Sequence, residues 1–120
     1  MIKKQSLFTL MLGSLLLIQP SYANQAPITQ EQCHKQQGIW IDVRSVEEYQ
    51  SGHIAGALNI PHDDLAEQIA KISPNKDEPI NLYCRSGRRA EMALTELKKL
   101  GYTQVTNHGG YAELIQKGIK

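Results

Sequence analysis

Two cysteines, Cys33 and Cys84, are all that this 120-residue chain carries, too few for the multiple bridges with which disulfide scaffolds replace a core. Two readings stay open: a resting Cys33–Cys84 disulfide, or a Cys33 that is a small apolar side chain on a helix beside a free Cys84. An excess of one charge is also lacking, with 13 lysines and arginines against 12 aspartates and glutamates. That balance leaves no footprint for nucleic acid or an anionic membrane. No apolar run reaches the ~20 residues needed to span a bilayer. There is no internal repeat and no Cys/His cluster spaced for a metal; His34 adjoins Cys33, but neighbouring residues on a helix diverge. Neither a metal nor an organic cofactor is expected.

What is present begins with MIKKQSLFTLMLGSLLLIQPSYA, residues 1–23. Two lysines, an apolar stretch from Leu7 to Ile18 and a Ser21-Tyr22-Ala23 ending follow the three-part pattern of a cleaved secretory signal. Cleavage after Ala23 is expected, with the bacterial periplasm as destination, and no cysteine follows Ala23 to take a lipid. Residues 24–120, 120 − 23 = 97 of them, suit one small domain with one core. Losing Lys3 and Lys4 leaves a net charge of 11 − 12 = −1, so no membrane partner is expected after cleavage.

Along the remaining chain, helical and extended patterns alternate. PITQEQCHKQQG reads as a short capped helix from near Thr29, and IWIDV as a buried strand. Ser45 and Glu48 are spaced as a capping box, with Gly52 as the stop. Residues 53–61 read as extended, and HDDLAEQIAKI sets Leu65, Ile69 and Ile72 at helical spacing. A polar turn, SPNKDEP, leads to PINLYC, a strand ending at Cys84. AEMALTELKKLG is a helix closed by two lysines and a glycine, YTQVTN a further strand and GGYAELIQKG a last helix. This order predicts an α/β domain with a mostly parallel open sheet and helices on both faces. In such sheets a ligand site lies beyond the carboxyl ends of the strands.

CRSGRR, residues 84–89, falls at that edge. A loop closing onto a helix N-terminus turns backbone N–H groups inward, and the helix dipole adds positive charge there. A free cysteine titrates at about 8.5, so a useful nucleophile needs roughly 2 units less, at ~1.4 kcal/mol per unit. The dipole supplies at most ~2 kcal/mol. N–H donors and the charges of Arg85, Arg88 and Arg89 must supply the rest, and Gly87 is able to turn with positive φ and present those donors. The plainer alternative is a buried strand-end cysteine followed by arginines that cap exposed turns. Loop length separates two chemistries. Cysteine-dependent phosphatases resemble Cys-x5-Arg, whereas the sixth position after Cys84 is Ala90 and the last arginine is Arg89.

Cys84-Arg85-Ser86-Gly87-Arg88-Arg89, of the form Cys-x-x-Gly-x-Arg, resembles the active-site loop of the rhodanese family of sulfurtransferases. IDVRSVEEYQSGHIAGALNIP, residues 41–61, resembles that family's upstream signature, and LGYTQVTNHGGY the segment before its last helix. The likeness is to the single-domain periplasmic type and covers nearly all of residues 24–120. It implies a rhodanese-like domain and a thiosulfate sulfurtransferase working through a Cys84 persulfide. The donor is then a small sulfur anion and the acceptor cyanide or a thiol, with the chain acting as a monomer. Cys84 becomes the nucleophile, the backbone of Arg85, Ser86, Gly87, Arg88 and Arg89 the anion cradle, and Arg88 and Arg89 the side chains that orient substrate. Asp42 and Arg44 become an ion pair bracing the loop face, with a solvated turn as the alternative for Arg44. Ala90 departs from the small hydroxyl residue frequent at that place. Thiol exchange through Cys33 and a non-catalytic sulfur carrier or anion-binding module are the competing readings. His53 is expected to organise a turn rather than act as a base, His62 and His108 to lie at the surface, and Trp40 in the core.

Overall fold

The computed structural model describes residues 35–120; the signal segment, most of the helix expected from near Thr29, and Cys33, on which the Cys33–Cys84 disulfide alternative rests, lie outside them. The elements are β1 Ile39–Asp42, α1 Val46–Gln50, β2 Leu58–Asn59, α2 Leu65–Ile72, β3 Ile80–Cys84, α3 Arg88–Lys99, β4 Val105–Gly110 and α4 Tyr111–Gln116. The strands form one four-stranded sheet in the order β2-β1-β3-β4, and every pairing is parallel. All four carboxyl ends therefore point to one edge. Among the described residues no helix is long and apolar enough to cross a membrane.

Strand alternation sorts the core into two layers. Ile41, Ile80, Leu82 and Cys84 face α2 and α3, where Leu65, Ile69, Ala90, Ala93 and Leu97 close the larger cluster. Trp40 and Tyr83 face the other way, onto Ile54, Ala57 and Leu114 of α4. Helices cover both faces of the sheet. The larger layer holds most of the fully buried Ile and Leu side chains, each contributing ~1.5–3 kcal/mol through removal from water. Central β3 is buried along its whole length, as a strand covered on both faces should be. Cys84 thus ends the most buried strand, itself 1% exposed.

Local signals account for most boundaries. Ser45 Oγ accepts from the Glu48 N–H at 3.2 Å while the Glu48 carboxylate accepts from the Ser45 N–H at 3.1 Å, so the capping box forms as its spacing predicts. The extended stretch expected over 53–61 shrinks to a two-residue strand, because the chain folds back with Ala57 N–H on the Ile54 carbonyl. β4 begins three residues later than expected. Tyr102 is buried with its hydroxyl on the Ser73 carbonyl at 2.7 Å, Thr103 and Gln104 bond Asp77, and pairing starts only at Ile80 with Val105. The polar turn before β3 is therefore fastened rather than loose.

Candidate active site

Asp42 ends β1 in register with Tyr83, the residue before Cys84. Its carboxylate takes the Arg44 guanidinium in a fork, with Nη2 to Oδ2 at 2.6 Å and Nε to Oδ1 at 2.9 Å, and also accepts the Arg44 backbone N–H at 2.9 Å. The pair is buried, the two side chains 0% and 6% exposed. Arg44 also donates to the Gly52 carbonyl at 2.6 Å and lies over the Tyr111 ring at 4.6 Å. Burial alone would weaken its basicity; the bonds and charge of Asp42 outweigh that and hold it above the ordinary arginine value. The expected ion pair is present, and buried rather than in a solvated turn. Tyr83 beside it accepts the Ile54 N–H at 2.9 Å, and burial pushes its phenol up from the usual range.

From this braced edge the chain enters the loop of residues 84–89. Arg85, Ser86 and Arg88 are exposed, Gly87 is buried and Arg89 is half-buried. Gly87 stands at φ +97°, the left-handed conformation that sequence reading assigns to it. Its N–H donates to Cys84 Sγ at 2.9 Å. Gly87 is also the cap of α3, so the sulfur sits at the positive end of the longest helix among the described residues. An N–H donor at a helix start is an arrangement that suits an anion.

Arg89 departs from its expected role. Its guanidinium forks onto Glu48, Nη1 to Oε1 at 2.9 Å and Nη2 to Oε2 at 3.1 Å. That bond, followed by the charges of Glu48 and Cys84, raises Arg89 above the ordinary arginine value. Arg89 is engaged with α1, leaving Arg85 and Arg88 as the exposed cations of the loop. Arg89 in turn holds the Glu48 carboxyl at about 2, with help from Ser45 against the opposing effect of burial. A carboxyl depressed in the fold stabilises it above the ordinary value near 4.5, and that contribution is lost as pH falls toward 2. Because the pair is partly solvated, Glu48→Gln is expected to cost roughly 1 kcal/mol at neutral pH. The difference from wild type should shrink below about pH 4.5, measured by denaturant midpoints across that range; a gap independent of pH would show that charge is not its source.

Sequence reading missed the far wall of the loop. Asn107 of β4 donates to the Gly87 carbonyl at 2.9 Å, and a Cβ on Gly110 would collide with the Arg85 carbonyl. The pattern NHGG carried this signal, since paired glycines ending a strand mark close backbone approach. His108 is a correction. Rather than lying at the surface it is half-buried, stacked 4.5 Å from Trp40 with Nε2 2.8 Å from Asn81 Oδ1, and burial with the charge of Lys117 lowers its basicity. His53 stacks on Tyr49 and bonds the Tyr49 carbonyl, turn-forming contacts rather than an approach to Cys84. A cleft of about 300 Å³ is lined by His62, Asp63, Ala66, Met92 and Glu96 and by no residue of the loop.

A buried sulfur ending a central parallel strand, under an N–H at a helix start, is the setting in which sequence relatives carry meaning. The sequence profile of the rhodanese-like domain matches residues 26–117. The chain belongs to the rhodanese-like family. It is 41% identical over 81 residues to thiosulfate sulfurtransferase PspE of Escherichia coli (strain K12), covering 68% of this chain and 78% of that protein. It is 37% identical over 84 residues to the tRNA uridine(34) hydroxylase of Escherichia coli O1:K1 / APEC, covering 66% of this chain but only 24% of that enzyme. A solved structure described as a rhodanese with anions from E. coli superposes with a TM-score of 0.61 at 43% identity, over 62% of this chain and 88% of that one. The parallel sheet and covering helices described above are thus a rhodanese-like domain.

Proposed function

We propose that this rhodanese-like protein is a sulfurtransferase that moves sulfane sulfur from thiosulfate, or a similar small anionic donor, to cyanide or a thiol through a persulfide on Cys84. The observation that carries this reading is the 2.9 Å hydrogen bond from the Gly87 N–H to Cys84 Sγ at the start of α3. In the first step the Cys84 thiolate attacks the outer sulfur of thiosulfate. A new S–S bond forms at Sγ, the donor's S–S bond breaks, and its electron pair leaves with sulfite. Charge balances, a thiolate and a dianion giving a persulfide anion and sulfite. In the second step cyanide takes the terminal sulfur as thiocyanate and the Cys84 thiolate returns; a thiol in its anionic form takes it as a persulfide.

Each step places negative charge where the loop supplies donors and cations. The dianionic donor is met by exposed Arg85 and Arg88, with the backbone of Ser86, Gly87 and Arg89 as the cradle. Departing sulfite keeps the same partners, which lowers the barrier electrostatically. The thiosulfate sulfurtransferase activity for which the PspE relative is named, and the anions present with the related E. coli rhodanese, support this donor class. No organic cofactor or metal enters either step. We read residues 1–23 as an export signal and the periplasm as the place of work.

Intact mass before and after thiosulfate tests the reading. The reduced, desalted protein is expected to gain the mass of one sulfur atom on Cys84 and to lose it to cyanide with one equivalent of thiocyanate. An unchanged mass with Cys84 demonstrably free would remove the persulfide and leave anion binding in its place.

A further inference from the structure

Gly87 presents its N–H to the sulfur only while its backbone keeps one orientation, and the loop has few means of holding it. Glycine at φ +97° has no side chain to lock it. Its carbonyl accepts the Glu91 N–H at 3.0 Å, the opening bond of α3. The second grip on that carbonyl comes from twenty residues away, through Asn107 Nδ2 at 2.9 Å. The same Nδ2 donates to Glu91 Oε1 at 3.0 Å, and Asn107 Oδ1 accepts the Gly109 N–H at 2.9 Å. These partners fix which way the amide points. Reversing it would set an oxygen against two oxygens and an NH2 against an N–H.

We propose that Asn107 is a positioning residue for sulfur transfer, holding the Gly87 backbone so that its N–H stays aimed at Cys84 Sγ and at the persulfide that replaces it. The inference rests on the sulfurtransferase reading above. Asn107 touches neither the sulfur nor, through any bond of its own, an anion at Arg85 or Arg88. Its influence is on the rate of the chemical steps rather than on capture of the donor. One donor to developing negative charge costs about 10²–10³-fold when removed outright; loosened rather than deleted, the Gly87 N–H should cost at least roughly tenfold.

Asn107→Asp separates positioning from bulk structure. The new carboxylate keeps an acceptor for the Gly109 N–H but faces the Gly87 carbonyl and Glu91 with no hydrogen to give. Steady-state thiosulfate:cyanide assays are expected to show kcat lowered at least tenfold and KM for thiosulfate within twofold of wild type. Asn107→Ser, which removes the donor reach without adding charge, should give the same split if the aspartate variant does not fold. Glu91→Gln, which leaves the Gly87 grip in place, should retain near wild-type kcat. Unchanged kcat in both Asn107 variants overturns the proposal. So does a kcat loss that is matched by an equal rise in KM, or that is restored on cooling in step with the folded fraction, since either marks a merely structural residue. Wild-type protein that never gains sulfur from thiosulfate would instead remove the sulfurtransferase reading itself, a failure visible before any variant is made.

Discussion

Cys84→Ser is expected to bring thiocyanate formation from thiosulfate and cyanide down to the uncatalysed background while the protein stays folded. The substitution is nearly isosteric in a site 1% exposed, and the serine oxygen still accepts from the Gly87 N–H that now meets the sulfur. What disappears is the chemistry. A hydroxyl is a far weaker acid than a thiol and a poor nucleophile toward sulfane sulfur. Stability should change by no more than about 1–2 kcal/mol, the ordinary range for a conservative buried substitution. Thiocyanate release and a denaturation midpoint measured on the same preparation check both halves. Normal turnover in a folded serine variant would move the nucleophile away from Cys84.

Asp42→Ala is expected to destabilise the protein by about 3–5 kcal/mol, because it strands a buried guanidinium without its counter-charge. Arg44 would keep the Gly52 carbonyl and the Tyr111 face but lose both fork bonds and the acceptor for its own N–H. A small domain has only about 5–15 kcal/mol in hand. Equilibrium unfolding in denaturant gives the measurement. Replacing Asp42 and Arg44 together by apolar residues of similar volume should recover most of the loss, since desolvating the pair offsets much of its attraction. A single-variant cost below about 1 kcal/mol would be that of an exposed pair, contrary to the 0% and 6% exposure of the two side chains.

How legible these features were depends on the separation in the chain of the groups that make them. Ser45 and Glu48 lie three residues apart, and their mutual capping follows from sequence alone. Asp42 and Arg44 lie only two apart, yet their pairing came from the family resemblance rather than from spacing, and a solvated turn stood beside it for Arg44. The helix after the loop was visible from its alanine and leucine spacing. It starts at Arg88, inside the arginine run, because Gly87 caps it and Glu91 N–H closes on Gly87. The Glu48–Arg89 fork spans 41 residues, so nothing near Arg89 announces that its charge is already matched. Asn107 and His108 sit where a strand was expected to end. The strand instead runs on to Gly110 with a register shift between Leu82 and Cys84. Asn107 still pairs in regular register with Leu82, so alternation sets it on the Cys84 side of the sheet and His108 on the Trp40 side, while the shift that follows brings Gly110 opposite Cys84. The strand's extension past Asn107, not its period, was what the sequence left hidden.

The parallel sheet also imposes an order in time. A chain made from its N-terminus displays Cys84 and the basic loop before β4 exists, and the Asn107 grip on Gly87 arrives twenty residues later. Until β4 docks beside β3, the thiol belongs to an unfinished edge strand. Non-local pairing of this kind forms late, after its loop-closure entropy has been met. Cys84 and its loop are thus made before the strand that completes their surroundings. The last strand to join the sheet is also the one that completes the setting of the thiol, bringing Asn107 and Gly110 against the loop.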